Sequence, residues 1–187
     1  MNSALIILDM VNLFDFAGGT ALSTHARKIA PRIAALRQAY TECGLPVIFV
    51  NDNFLDWNRE FSELVAICGQ PRCLGSSIVG TLRPQSSDYY VLKPKHSAFL
   101  CTVLPAILND LKIGHLVLTG IATDSCVLMT AQDAYMRQFD VLVPRDCVAA
   151  ETAARSAAAL KLMRDAMKVD TSPAATVIKR LGSVKSR

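Results

Sequence analysis

Short apolar runs alternate along the chain with longer amphipathic stretches. The apolar runs lack a polar residue at every second position, which is typical of strands that are covered on both faces, as in a parallel sheet. Five such runs predict strands: Ala4–Leu8, Pro46–Val50, Tyr89–Leu92, His115–Thr119 and Phe139–Val143.

The stretches between these runs show helical periodicity. Within Ser23–Cys43, the residues Ile29, Ile33, Leu36 and Tyr40 recur at spacings of four, three and four, which places them on one face of a helix. Similar patterns predict helices over Val103–Leu111, Asp124–Arg137, Glu151–Val169 and Pro173–Leu181. Because strands and helices alternate, the sequence predicts an α/β fold: a three-layer αβα sandwich around a central, mostly parallel, doubly wound Rossmann-like sheet.

One segment, Asn53–Asp88, interrupts this alternation between the second and third predicted strands. It is rich in the glycines and prolines Gly69, Pro71, Gly75, Gly80 and Pro84, so we expect it to be partly irregular. Insertions of this length commonly form a lid or a wall of a functional site. Because the chain has 187 residues and shows no repeat or linker, residues 1–187 are predicted to form a single domain.

Composition and charge narrow the functional classes. Hydrophobic residues make up 51% of the chain and charged residues 19%, which is typical of an ordered globular protein. The net charge of +4 is dispersed along the sequence, so no nucleic-acid partner is expected. No apolar run is long enough to cross a membrane, and the first residues lack the basic segment of a secretory signal. We therefore expect no membrane association and a cytoplasmic location.

Three polar residues lie where predicted strands end. Asp9 follows the first apolar run, Lys93 follows the third, and Cys126 comes shortly after the fourth. Taken singly, such an aspartate is commonly a cap, such a lysine a surface charge and such a cysteine a core residue. Because ligands of doubly wound sheets bind at the carboxyl ends of the strands, the three together predict a site at that edge.

The chemistry of these residue types favours nucleophilic catalysis by Cys126. A free thiol is mostly protonated at neutral pH, a nearby carboxylate can accept its proton, and an ammonium group stabilises the thiolate. Cys126 also falls in the first turn of a predicted helix, where backbone N–H groups favour negative charge on the sulfur and on a developing oxyanion. This combination indicates acyl transfer through a thioester.

Four segments resemble the isochorismatase-like cysteine hydrolase superfamily, which includes nicotinamidases and N-carbamoylsarcosine amidohydrolase. They read ALIILDMVNLF around Asp9, VLKPKHSAF around Lys93, and VLTGIATDSCVLMTAQDAYMR around Cys126, continued by DVLVPRDCVAAET. The segments occur in the order of the family, and the Gly-hydrophobic-Ala-Thr-Asp-x-Cys-Val turn is the most specific of them. The family's triad of aspartate, lysine and cysteine corresponds to Asp9, Lys93 and Cys126. The lysine four residues before Ser-Ala-Phe is Lys93 rather than Lys95.

The resemblance further implies a cis peptide bond in the turn that precedes Cys126. In this sequence that bond falls between Ile121 and Ala122. The N–H group of Ala122 would then lie beside that of Cys126. These two N–H groups are therefore expected to form the oxyanion hole.

One departure from the family pattern bears on metal binding. Nicotinamidases resemble one another in an Asp-x-His…His cluster after the second strand, which binds a metal ion. Residues 51–57 of this chain read NDNFLDW and contain no histidine. We therefore expect no metal and no cofactor, and nicotinamide is not the expected substrate.

The sequence thus predicts a cysteine-dependent hydrolase of C–N bonds in a small amide, ureido or carbamoyl compound. Isochorismatases proper, which cleave a vinyl ether, lack the cysteine, so its presence favours an amidohydrolase. Four side chains near strand ends are candidates to line the substrate pocket: Phe14, Asn53, Trp57 and Phe99. The expected partners are the small-molecule substrate and further copies of the chain, in a homo-oligomer such as a dimer or a tetramer.

Three alternatives stay open from the sequence. They are isochorismatase-type hydrolysis of another small molecule, redox sensing through the Cys126 thiol, and ligand binding without catalysis. The six cysteines include no Cys-x-x-Cys pair, which argues against redox sensing. The intact set of Asp9, Lys93 and Cys126 argues against a catalytically silent protein.

Overall fold

The computed structural model of the protein describes residues 2–54 and 58–185. In this part of the chain one sheet contains six strands: β1 (Ser3–Leu8), β2 (Val47–Asp52), β3 (Tyr89–Lys93), β4 (His115–Ile121), β5 (Asp140–Leu142) and β6 (Val148–Ala149). Five of them lie in the order β3-β2-β1-β4-β5, and β6 pairs with the carboxyl end of β4. Every one of these pairings is parallel, so the predicted parallel sheet is confirmed.

Helices cover both faces of this sheet. They are α1 (Gly19–Glu42), α2 (Phe61–Cys68), α3 (Ser76–Leu82), α4 (Leu104–Asp110), α5 (Leu128–Met136), α6 (Ala153–Met167) and α7 (Ala174–Lys185). Buried residues of α1, α2, α3 and α7 form one hydrophobic cluster, and those of α4, α5 and α6 form another. Among the residues described, no helix is long and apolar enough to cross a membrane. The two helix layers make the protein the αβα sandwich that the sequence predicts.

The first strand shows why its sequence lacks polar alternation. All side chains of β1 are buried. Leu5 and Ile7 belong to the first hydrophobic cluster, whereas Ala4, Ile6 and Leu8 belong to the second. A strand between two helix layers therefore needs apolar residues at consecutive positions.

The segment Asn53–Asp88 is more regular than its composition suggests. It contains α2 and α3, and α2 begins with a capping box in which Glu60 and Glu63 each accept the backbone N–H of the other. These helices have only eight and seven residues, too few for a clear period in a stretch rich in glycine and proline. The two-residue strand β6 leaves no recognisable pattern for the same reason.

An ion pair joins α1 to the segment that leads into β3. Arg37 donates to the carboxylate of Asp88, which also accepts the Gln85 N–H at 2.7 Å. The Arg37 guanidinium carbon lies 5.6 Å from the centroid of the Phe49 ring. The side chains of Arg37 and Asp88 are 11% and 4% exposed, so the pair is shielded from solvent.

We expect Arg37→Met to lower the free energy of unfolding by about 3–5 kcal/mol, because the Asp88 carboxylate would stay buried without its cation. Urea denaturation followed by circular dichroism measures the change. The matched control is Lys161→Met, which breaks an exposed pair with Asp165 on α6 and should leave the denaturation midpoint unchanged. Equal effects of the two substitutions would contradict the prediction.

Candidate active site

Asp9 and Lys93 lie at the carboxyl edge of the sheet. Asp9 directly follows β1, and Lys93 is the last residue of β3. The strand between them is β2, whose last residue, Asp52, pairs with Lys93. Three neighbouring strands thus bring their carboxyl ends together, as expected for parallel strands.

The close approach of β1 and β4 shapes the backbone next to Asp9. Asp9 has a φ of 54°, in the left-handed region that residues other than glycine seldom adopt, and its N–H donates to Val50 C=O at 2.9 Å. In β4, Gly120 pairs with Leu8 and has a φ of 106°. A Cβ at Gly120 would lie 2.1 Å from the Leu8 carbonyl oxygen. Only glycine fits at that position, and it lets β4 follow β1 as far as the residue before Asp9.

Asp9 and Lys93 form a buried ion pair. Lys93 Nζ lies 3.0 Å from Asp9 Oδ2, and the two side chains are 0% and 7% exposed, respectively. The other carboxylate oxygen, Oδ1, accepts the Asp52 N–H at 2.8 Å. Burial by itself lowers the pKa of Lys93, but the Asp9 carboxylate and other negative groups more than offset this effect. The pKa of Lys93 is therefore raised, and its ammonium group stays charged.

Cys126 completes the cluster from the other side of β1. It lies in a π-helical turn, Thr123–Val127, that links β4 to α5. The half-buried thiol places Sγ 3.5 Å from Lys93 Nζ. A thiol, an ammonium group and a carboxylate therefore meet at one edge of the sheet. Single π turns of this kind are often found at functional sites.

The backbone before Cys126 is held in place by hydrogen bonds. The peptide bond between Ile121 and Ala122 is cis. The Ala122 carbonyl oxygen accepts the N–H groups of Ser125 and Val127, both at 3.1 Å. The residues on either side of Cys126 are thus fixed to the same carbonyl group.

Side chains of α6 form hydrogen bonds with the turn that contains Cys126. The hydroxyl groups of Thr123 and Ser156 are 2.8 Å apart. Arg155 donates from Nε to Asp124 at 2.5 Å and from Nη1 to Glu151 at 2.7 Å. The position of the turn therefore depends on α6 as well as on the sheet.

The Cys126 thiol is protonated in this environment. Burial and the negative charge of Asp9 raise its pKa to about 12, although the positive charge of Lys93 acts in the opposite direction. The sulfur therefore carries its proton at neutral pH. A reaction in which it acts as a nucleophile requires a base that removes this proton.

Three of the four residues expected to line a substrate pocket lie within the described part of the chain. Asn53 is buried beside the ion pair, and its N–H donates to Lys93 C=O at 3.0 Å. Phe14 and Phe99 are buried in different hydrophobic clusters, on opposite faces of the sheet. Trp57 lies outside the described residues. The roles of these four residues in substrate binding stay predictions.

A further neighbour of the thiol is His96, which is not among the site residues predicted from the sequence. Its Nδ1 lies 3.8 Å from Cys126 Sγ, and the residue is exposed. Its one signal in the sequence is its position three residues after Lys93. The imidazole adds a second group near the sulfur that can accept or donate a proton.

The residues that the structure describes do not fit a metal ion. Within them, no group of three or more His, Cys, Asp or Glu side chains is arranged around a common point. After β2, where the resemblance to nicotinamidases would place a metal, Asp52 Oδ1 accepts the Phe54 N–H at 2.6 Å. None of the described residues in that stretch is a histidine.

Comparison with known proteins classifies the chain. Residues 3–175 match the family model described as the isochorismatase domain. The chain belongs to the isochorismatase family. Members of this family are hydrolases, so the protein is a hydrolase, and the resemblance seen in its sequence motifs is confirmed.

Two relatives of the isochorismatase family are similar over most of the chain. The isochorismatase family protein YaaI of Bacillus subtilis is 34% identical over 179 residues, which cover 96% of this chain and 98% of YaaI. The ureidoacrylate amidohydrolase RutB of Yersinia enterocolitica is 30% identical over 172 residues, covering 77% of this chain and 74% of RutB. The similarity to YaaI therefore extends over nearly the whole chain.

Two solved structures share the fold. The nicotinamidase/pyrazinamidase PncA of Bacillus subtilis is 28% identical, with a TM-score of 0.72 over 92% of this chain and 100% of PncA. The N-carbamoylsarcosine amidase of Thermoplasma acidophilum is 26% identical, with a TM-score of 0.71 over 93% of this chain and 97% of the amidase. The isochorismatase-like fold is thus shown by structure as well as by sequence.

We expect Lys93→Met to lower the free energy of unfolding by about 3–5 kcal/mol, because the Asp9 carboxylate would remain buried without a cation. The double variant Lys93→Met/Asp9→Asn removes both charges and should recover much of this loss. Urea denaturation of the wild type and both variants at neutral pH gives the three free energies. A double variant no more stable than Lys93→Met would argue that the ion pair is not the source of the effect.

Proposed function

We propose that the protein hydrolyses a C–N bond of a small amide, ureido or carbamoyl compound through a thioester on Cys126. The observation that carries the proposal is the contact of the thiol with a buried ion pair. Cys126 Sγ lies 3.5 Å from Lys93 Nζ, which in turn lies 3.0 Å from Asp9 Oδ2. A nucleophile, a cation and a base therefore lie in one cluster.

In the first step Asp9 accepts the proton of the Cys126 thiol while the sulfur attacks the substrate carbonyl carbon. The base is needed because the pKa of the thiol is about 12. Lys93 stabilises the negative charge that develops on the sulfur. The N–H groups of Ala122 and Cys126 bind the oxyanion that forms on the carbonyl oxygen.

The C–N bond then breaks, and Asp9 gives the proton to the leaving nitrogen. Ammonia or an amine departs, Asp9 is ionised again, and the acyl group stays on the sulfur as a thioester. Asp9 next accepts a proton from water as that water adds to the thioester carbon. The C–S bond breaks with its electron pair going to sulfur, the carboxylic or carbamic acid leaves, and the sulfur regains a proton.

The names of two relatives support a C–N bond as the target. RutB is a ureidoacrylate amidohydrolase, and the Thermoplasma enzyme is an N-carbamoylsarcosine amidase. Hydrolysis of a vinyl ether, the reaction of isochorismatases proper, is less favoured because those enzymes lack the cysteine. The presence of Cys126 beside Lys93 therefore favours the amidohydrolase reaction.

A panel of small amides, ureido compounds and carbamoyl compounds, assayed for release of ammonia, tests the proposal. With a compound that is turned over, Asp9→Asn should lower kcat by about 10²–10⁴-fold, because it removes the general base. Cys126→Ser should lower kcat at least as much. The control Asp165→Asn changes an exposed carboxylate on α6 and should keep the wild-type rate. Turnover by Cys126→Ser at the wild-type rate would refute the thioester.

A further inference from the structure

The turn that carries Cys126 also carries a negative charge. Asp124 lies two residues before Cys126, in the same π-helical turn. In sequence it therefore falls between Ala122 and Cys126, the two residues whose N–H groups are proposed to bind the oxyanion. Its side chain is 17% exposed, so solvent screens its charge less than that of a surface carboxylate. Without a compensating cation, this carboxylate would oppose the negative charge that develops on the sulfur and on the oxyanion.

Arg155 compensates this charge. Its Nε donates to Asp124 Oδ2 at 2.5 Å, which is a charge-assisted hydrogen bond. The other carboxylate oxygen, Oδ1, is buried, and no residue in the described part of the chain donates a hydrogen bond to it. Of the described residues, Arg155 alone forms an ion pair with Asp124. The neutralisation of the turn therefore depends on this one guanidinium group.

Contacts at the start of α6 hold Arg155 beside the turn. Its backbone N–H donates at 3.2 Å to the hydroxyl oxygen of Thr152, the residue that caps the amino end of α6. Its Nη1 donates to Glu151 Oε2 at 2.7 Å. The Glu151 carboxylate in turn lies against Gly18, where a Cβ would come within 2.7 Å of Oε1. The guanidinium group is thus held between two carboxylates, although the side chain of Arg155 is 49% exposed.

The helix α6 contacts the turn through a neutral bond as well as a charged one. The bond between Ser156 and Thr123, at 2.8 Å, joins two hydroxyl groups and holds the turn without changing its charge. The contact of Arg155 with Asp124 both holds the turn and cancels a charge. These two effects can be separated by experiment, because a neutral residue at position 124 needs no cation.

We propose that Arg155 is a positioning residue that speeds the reaction at Cys126 by neutralising Asp124, an inference that rests on the proposed function. When the sulfur attacks the carbonyl carbon, negative charge moves to the carbonyl oxygen, beside the N–H groups of Ala122 and Cys126. Because Arg155 neutralises Asp124, these N–H groups bind the oxygen without a competing negative charge from their own turn. The effect applies to formation of the thioester and to its hydrolysis, since an oxyanion forms in both steps.

Acetyl transfer from p-nitrophenyl acetate to Cys126 measures this effect. Release of p-nitrophenolate follows formation of the thioester, and mass spectrometry of the peptide that contains Cys126 identifies the acetylated residue. Arg155→Met should lower the rate constant of acetylation about 10-fold, because the Asp124 carboxylate is left without its cation. In the double variant Arg155→Met/Asp124→Asn no charge is left to compensate. This variant should therefore recover most of the lost rate.

Two further variants control for the charge and for the exposure of the arginine. Arg155→Lys keeps a cation beside Asp124, so its rate should stay closer to the wild-type rate than that of Arg155→Met. Arg180→Met breaks an Arg–Asp pair of similar exposure, between α7 and Asp170, and should leave the rate unchanged. Circular dichroism gives the folded fraction of each variant, by which its rate constant is divided.

The outcomes separate the inference from the proposed function. Slow acetylation of Arg155→Met that Asp124→Asn restores supports the inference. Acetylation of Arg155→Met at the wild-type rate overturns it. A double variant as slow as Arg155→Met overturns it as well, because the contact between the two side chains would then matter and not the charge. If the wild-type protein acquires no acetyl group on Cys126, the proposed function itself fails, and the inference fails with it.

Discussion

The ion pair between Lys93 and Asp9 is the constraint on which the rest of the site depends. Two opposite charges 3.0 Å apart are buried at the carboxyl edge of the sheet, where either charge alone would be strongly destabilising. The pair requires β1 and β3 to end at the same level on either side of β2, and the Asp52 N–H supplies a further bond to the carboxylate. Because β4 pairs with β1 on its other side, the turn after β4 brings Cys126 to the same ammonium group.

The same ion pair determines whether the Cys126 sulfur carries a proton before substrate binds. Burial and the Asp9 charge raise the pKa of the Cys126 thiol, and the Lys93 charge only partly offsets them. A neutral thiol is a weak nucleophile, so the sulfur becomes reactive when the neighbouring carboxylate accepts its proton during attack on a carbonyl carbon. Negative charge then develops on the sulfur and on the carbonyl oxygen. Interactions that strengthen as this charge develops are the ones that accelerate a reaction.

Much of the fold can be predicted because its strands are covered on both faces, which leaves uninterrupted apolar runs in the sequence. That Asp9, Lys93 and Cys126 share one edge also follows, since the carboxyl ends of parallel strands meet there. The elements that escape prediction, α2, α3 and β6, are too short to show a period. The contact of His96 with the Cys126 sulfur depends on hydrogen bonds that the next two residues form with α5. A local sequence pattern cannot predict such bonds between distant parts of the chain. Phe99 comes later in the same connection after β3, and it is buried in the hydrophobic cluster with α4, α5 and α6.

Before substrate binds, the Cys126 sulfur holds its proton beside the negatively charged Asp9 carboxylate. Ultraviolet difference spectra between the wild type and Cys126→Ser, recorded as the pH is raised, measure the thiolate of this one residue. No thiolate is predicted at neutral pH, and its titration should approach pH 12. In Asp9→Asn the titration should move to lower pH, because the negative charge beside the sulfur is removed. A Cys126 thiolate already present in the wild type at neutral pH would contradict this placement of the proton.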